Sequence, residues 1–189
     1  MARDTKLAMD QLGITSASVM GISQGGMIAQ YMAIDYPTCV EKLVLAVTLV
    51  KPNEIMKKAV SPWFAMAQNG EYKRILIDTA EKSYSNRYLR THRWLFPLLA
   101  ITGKPKDFTR FIIQANSCLQ HNAYEQLGQI RCPTLVIGGG DDRIVGVEAS
   151  KEIAKKISVS ELILYDQYGH AAYEEAKDFN AKVIDFLCK

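Results

Sequence analysis

The feature that most restricts this chain is an apolar, partly β-branched run from Ala17 to Ile22. It breaks at Ser23-Gln24-Gly25-Gly26 and passes into Met27-Ile28-Ala29-Gln30-Tyr31-Met32-Ala33, a strong helix-forming run. A unit of strand, tight turn and helix buries its apolar faces only in a layered α/β structure. The pattern recurs. Pro37 ends the helix, and Lys42 to Thr48 carries continuous rather than alternating apolar residues, as a strand buried on both faces does. Thr134-Leu135-Val136-Ile137 predicts a third strand, running into Gly138-Gly139-Gly140-Asp141-Asp142 and a helix over Glu148 to Ile157. Leu162-Ile163-Leu164-Tyr165 predicts a fourth, followed by Gly169-His170 and one amphipathic helix from Tyr173 to Leu187. A short helix over Asp4 to Leu12, closed by Gly13, opens the chain. The expected fold class is α/β, a mostly parallel sheet of about four strands with flanking helices.

Between Lys51 and Gln129 the character changes. Trp63, Phe64, Trp94, Phe96, Phe108 and Phe111 stand among charged residues at helical spacing, punctuated by Pro52, Pro62, Pro97 and Pro105. We read residues 51–129 as a helical cap insertion and residues 1–50 with 130–189 as the core. Most aromatic and methionine side chains of the insertion are expected to pack its interior, with a minority lining an acyl or alkyl pocket. At 189 residues and 48% hydrophobic content the chain can bury a sizeable core. Its 23 basic and 20 acidic residues leave a net charge of +3 with no block of like charges, which excludes an electrostatic grip on nucleic acid. The apolar run Leu43 to Val50 is far short of the ~20 residues a membrane span needs. Met1-Ala2-Arg3-Asp4-Thr5-Lys6 has no apolar stretch behind its basic residues, so a cytoplasmic location is the expectation. Cys39, Cys118, Cys132 and Cys188 form no C-x-x-C pair and, with three histidines, no zinc ligand set. They are expected to be reduced, mostly buried thiols.

In a parallel sheet ligands bind beyond the carboxyl ends of the strands. Ser23, Asp142 and His170 each lie just after a predicted strand, so the fold should bring them to one edge. Gly21-Ile22-Ser23-Gln24-Gly25 fits G-x-S-x-G, in which a sharp strand-to-helix turn lifts a serine hydroxyl above the sheet. Gly21 and Gly25 are expected to supply the room that turn needs, and the Gln24 backbone N–H to face a developing oxyanion. A serine hydroxyl needs a base to take its proton and a carboxylate to orient that base, roles that His170 and Asp142 fit. Asp141 is the alternative acid. His92 and His121 follow no core strand and are expected as surface or cap residues. Gly138-Gly139-Gly140 has neither the ending of a P-loop nor dinucleotide-site spacing and reads as a tight turn.

Through Gly21-Ile22-Ser23-Gln24-Gly25-Gly26, Cys132-Pro133-Thr134-Leu135-Val136-Ile137 with its Gly-Asp turn, and Gly169-His170, the sequence resembles the α/β-hydrolase superfamily. The chain order Ser, Asp, His agrees with that architecture. The resemblance implies Ser23 as nucleophile, His170 as general base and Asp142 as acid, three residues beyond Gly139. The text is most similar to small esterases, enol-lactonases and haloperoxidase-like enzymes. A small-molecule acyl substrate, cleaved at an ester, lactone or related bond with no metal or organic cofactor, is what that likeness implies. Two departures stand out. The family often has proline where Gly146 stands. It also places about four strands and a His-Gly loop, source of a second oxyanion donor, before the elbow, whereas 22 residues precede Ser23 and none of the three histidines is followed by glycine. The expectation is therefore an open edge along Ala17 to Gly21, covered in a homo-oligomer or by a partner chain. Loss of one oxyanion donor costs ~10²–10³ in turnover. The alternative function is thus a catalytically weak or inactive truncated hydrolase acting as a binding or assembly module.

Overall fold

The computed structural model describes residues 1–101 and 103–189. Helix α1 (Ala2–Gln11) leads to strand β1 (Ala17–Ile22), helix α2 (Gln24–Asp35) and strand β2 (Val40–Ala46). Five helices follow: α3 (Glu54–Gln68), α4 (Tyr72–Ser83), α5 (Asn86–His92), α6 (Phe96–Thr102) and α7 (Thr109–Gln120). Strand β3 (Thr134–Gly139), helix α8 (Val147–Lys156), strand β4 (Ser160–Tyr165) and helices α9 (Ala172–Glu175) and α10 (Phe179–Cys188) complete the chain. The four strands form one sheet in the order β1-β2-β3-β4, with every pairing parallel. Parallel neighbours require crossovers. Helix α2 supplies the first, α3 to α7 the second, and α8 the third.

The continuous apolar text of β2 has a direct structural cause. Leu43 and Leu45 point to one face with Val136, packing on Met32 of α2 and Ile153 of α8. Val44 and Ala46 point to the other with Leu135 and Ile137, against Phe179, Val183 and Phe186 of α10. A third cluster joins Met56, Val60 and Trp63 of α3 and Ala115 of α7 to Met27 of α2 and to Ile144 and Val145 in the loop after β3. Helices α3 and α7 are thereby seated over the end of the sheet where β1 and β3 finish. Ala123, Leu127 and Ile130 pack with the sheet's first cluster, and the Ala123 N–H donates to the Val50 carbonyl at 2.9 Å.

Several local expectations are revised. Helix α2 starts at Gln24, so the turn after β1 is a single residue. Pro62 lies inside α3 instead of ending it. Both it and Lys58, whose carbonyl proline cannot serve, are exposed, where water replaces the lost donor. The expected helix over Tyr173 to Leu187 is two helices, because Ala176 is extended at ψ 111° and the Asp178 carboxylate accepts a hydrogen bond from the Tyr165 hydroxyl at 3.1 Å. Of the cysteines, all free, Cys39 is buried, Cys118 and Cys132 are half-buried and Cys188 is exposed. Strand β1 is hydrogen-bonded to β2 on one side and forms an edge of the sheet. Among the described residues no helix is long and apolar enough to cross a membrane.

Candidate active site

Ser23 is the one residue between β1 and α2 and adopts φ 52°, ψ −119°, in the left-handed half of backbone space that L-residues avoid. Reversing the chain in one residue brings strand and helix backbones together. A Cβ on Gly21 would lie 2.4 Å from the Gly25 carbonyl oxygen, which explains glycine there. The second steric position is not Gly25, as the motif suggests, but Gly26. A Cβ on Gly25 would meet nothing within 4 Å, whereas one on Gly26 would lie 2.6 Å from Thr48 Cβ. The reason is that the first turn of α2 presents Gly26, not Gly25, to the end of β2.

Three donors converge on the Ser23 carbonyl: the N–H groups of Gly26 and Met27, at 2.9 and 3.3 Å, and Thr48 Oγ1, at 2.7 Å. Thr48 is buried, and it follows Val47, which is itself at φ 44° with its N–H bonded to the Ile137 carbonyl. Sequence reasoning missed Thr48, since no local pattern signals that a threonine 25 residues on will grip the elbow. The Gln24 N–H heads α2 and has no carbonyl four residues back within the helix, leaving it available at the site. The Gln24 side chain donates to the Gln114 carbonyl at 3.0 Å and so ties the elbow to α7.

The other two candidates arrive from the ends of β3 and β4. His170 Nε2 lies 2.8 Å from Ser23 Oγ, and His170 Nδ1 lies 2.8 Å from Asp142 Oδ2. Asp142 Oδ1 accepts the N–H groups of Ile144 and Val145, both at 2.9 Å. Asp142 and His170 are each 6% exposed, so this chain of hydrogen bonds is nearly dry beneath the serine hydroxyl. Asp141 is excluded as the partner of His170: it is exposed and bound by Arg143 Nη2 at 2.5 Å. The glycine triplet, expected as a tight turn, instead ends β3 with Gly138 and Gly139 paired to β4, and it serves the same convergence. A Cβ on Gly139 would sit 2.1 Å from the Gly169 carbonyl oxygen, so the loops bearing Asp142 and His170 meet through bare backbone.

Beside the serine lies a cavity of about 160 Å³, walled by Met27, Met56, Val60, Trp63, Phe111 and Ala115 among others. Trp63 donates its indole N–H to Asp78 at 2.6 Å, which fixes the ring. Cys118 lines the cavity too; burial pushes its thiol up to about 11, keeping it uncharged. His121, expected at the surface or in the cap, is instead buried behind α2. It is 7% exposed, bonded to Gln30 Oε1 at 3.1 Å and stacked edge-on to Tyr31. Burial depresses its pKa to about 4, outweighing the Leu49 carbonyl that acts in the opposite direction. His92 lies at the end of α5 and takes no part in the Ser23 cluster.

Comparison with known proteins agrees with the architecture. The profile of the α/β-hydrolase fold matches residues 1–177, and the chain belongs to that family. Among curated relatives, a 2-hydroxy-6-oxo-6-phenylhexa-2,4-dienoate hydrolase of Comamonas testosteroni is 30% identical over 201 residues, covering 98% of this chain and 68% of the relative. A 2-hydroxy-6-oxononadienedioate/2-hydroxy-6-oxononatrienedioate hydrolase of Pseudomonas sp is 28% identical, covering 100% of this chain and 69% of its own length. An α/β-hydrolase enzyme from a Medee basin deep-sea metagenome library superposes with a TM-score of 0.92 at 28% identity, over all of this chain and 70% of that one. The enol-lactonase of Burkholderia xenovorans LB400 shares the fold, with a TM-score of 0.87 at 19% identity over all of this chain and 72% of that one. The chain is thus similar to hydrolases, and it spans about 70% of their length.

Proposed function

We propose that this chain is a serine hydrolase that cleaves an ester, lactone or related acyl bond through Ser23, His170 and Asp142. Ser23 Oγ attacks the acyl carbonyl while His170 Nε2 takes its proton. The Asp142 carboxylate holds the Nδ1–H of His170 and stabilises the imidazolium. Negative charge developing on the carbonyl oxygen is met by the Gln24 N–H at the positive end of α2. The imidazolium then protonates the leaving group, and water, activated by the same histidine, releases the acyl group from Ser23 and restores the hydroxyl. The apolar cavity bounded by Met56 and Trp63 suits the acyl portion.

The observation that carries this reading is the unbroken path of two 2.8 Å contacts from Ser23 Oγ through His170 to Asp142, starting from a serine held at φ 52°. The hydrolase names of the curated relatives support it from a different direction. Its test is covalent. A fluorophosphonate probe should label the folded protein at Ser23. Turnover of p-nitrophenyl butyrate should be lost in Ser23→Ala and fall by at least ~10³ in His170→Gln. A folded protein that is not labelled and whose ester background is the same with and without Ser23 would overturn the assignment.

A further inference from the structure

The helical insertion meets the candidate site twice: through the apolar cavity, and through the junction of α4 with α5, which the proposed chemistry does not use. At that junction the Ser83 carbonyl accepts the Ala171 N–H at 2.9 Å. Ser85 donates its N–H to Glu175 Oε1 at 2.9 Å and its hydroxyl to Glu175 Oε2 at 2.5 Å. The Tyr84 hydroxyl donates to Glu174 at 2.6 Å. All three contacts land within five residues after His170. Ser85 is 5% exposed, so its two bonds to the carboxylate face little competition from water. Burial, aided by the Glu174 carboxylate, raises the Tyr84 pKa and keeps that phenol a donor.

The same junction reaches the other loop. Arg143, next to Asp142, donates Nη2 to Asn86 Oδ1 at 3.2 Å and Nη1 to the Glu81 carbonyl at 3.5 Å. The bond from His170 Nδ1 to Asp142 therefore joins two loops that spring from different strands and are both held by one short stretch of the insertion. Hydrogen bonds weaken steeply outside a narrow range of distance and angle. The two loops also meet directly, the Asp141 N–H donating to the Tyr168 carbonyl at 3.0 Å, and the junction adds a second set of ties that fixes both from the side of the insertion.

We infer that the α4–α5 junction is a brace in which Ser85 and Glu175 act as positioning residues, holding His170 in register with Asp142. A displacement of the insertion is thereby transmitted to the histidine. The kinetic side of this inference rests on the serine-hydrolase reading; the contact it predicts does not.

The test uses the full chain in four forms: wild type, Glu175→Ala, Ser85→Ala and Ser85→Thr. Glu175→Ala is the principal variant, because it leaves the Ser85 side chain free to accept the Tyr88 N–H and cap α5. The first readout is the low-field proton resonance of His170 Nδ1–H, assigned by its absence in His170→Gln. It should broaden or move upfield in Glu175→Ala and Ser85→Ala and return in Ser85→Thr. The second is kinetic. With p-nitrophenyl butyrate, kcat should drop about 10- to 100-fold in the first two variants, with KM within about twofold. An unchanged resonance in folded Glu175→Ala and Ser85→Ala overturns the brace. A perturbed resonance in a chain without turnover upholds the brace and counts against the hydrolase reading alone.

Discussion

Ser23 at φ 52° carries strain of about 1–3 kcal/mol, and the residues around it hold the backbone in that conformation. Gly21 admits the Gly25 carbonyl, Gly26 admits Thr48, and Thr48 anchors the Ser23 carbonyl. Gly21→Ala should therefore lower stability by several times the ~1 kcal/mol of an ordinary glycine–alanine difference. Gly25→Ala, at a helical position with open space, should leave the melting temperature unchanged or slightly raised; thermal melts of the pair separate the two glycines of the motif. Thr48→Val keeps the shape and removes the hydroxyl, and should cost about 1–2 kcal/mol in urea unfolding. His121 sets a pH dependence. Its ordinary value of 6.5 falls to about 4 on folding, so between these values the unfolded chain binds more protons. Its contribution is complete above pH 6.5 and disappears as the pH falls towards 4. Allowing for partial solvent screening, it amounts to about 2 kcal/mol. Urea midpoints measured from pH 7 to 4 should fall more steeply in wild type than in His121→Gln.

Each element takes its role from what caps it and what it faces. Helix α2 is useful to the candidate site because it starts without a linker, placing the Gln24 N–H one residue from Ser23. Helix α8 begins after Gly146, whose φ of 79° is closed to proline, fixed near −65°. The proline that the family resemblance leads one to expect there does not fit this backbone. Gly146→Pro should rotate the backbone that carries the Val145 N–H onto Asp142. The expected result is a lower melting temperature, by roughly 5 °C or more, with slower fluorophosphonate labelling; a variant as stable and reactive as wild type would show that the loop tolerates both paths. The break between α9 and α10 was invisible to periodicity, because its apolar positions continue at helical spacing through Ala176 and Phe179. The break is set by partners distant in sequence: Tyr165 on Asp178 and Ser85 on Glu175.

For the molecule as a whole, the sheet gathers three side chains separated by up to 147 residues at one edge, and helices α3 and α7 wall the cavity beside Ser23. Strand β1 at the sheet margin carries the remaining consequence. We expect the 21.2 kDa chain to sediment as more than a monomer, with a second copy pairing along that edge. Lysine at Met20, 40% exposed, should shift it towards monomer, and monodisperse wild-type monomer would refute the pairing. Much of this architecture was legible from residue order. Apolar runs of strand length, glycine and proline punctuation and helical spacing act locally, so they specified four strands, their crossovers and the loops carrying Ser23, Asp142 and His170. Parallel connection then required those loops to share an edge. Tertiary structure alone decided which aspartate meets His170, that Gly26 rather than Gly25 is sterically bound, that His121 is buried, and that Thr48, Ser85 and Glu175 grip the site. Those outcomes depend on contacts between residues up to 91 positions apart, whose distance and angle no local pattern encodes.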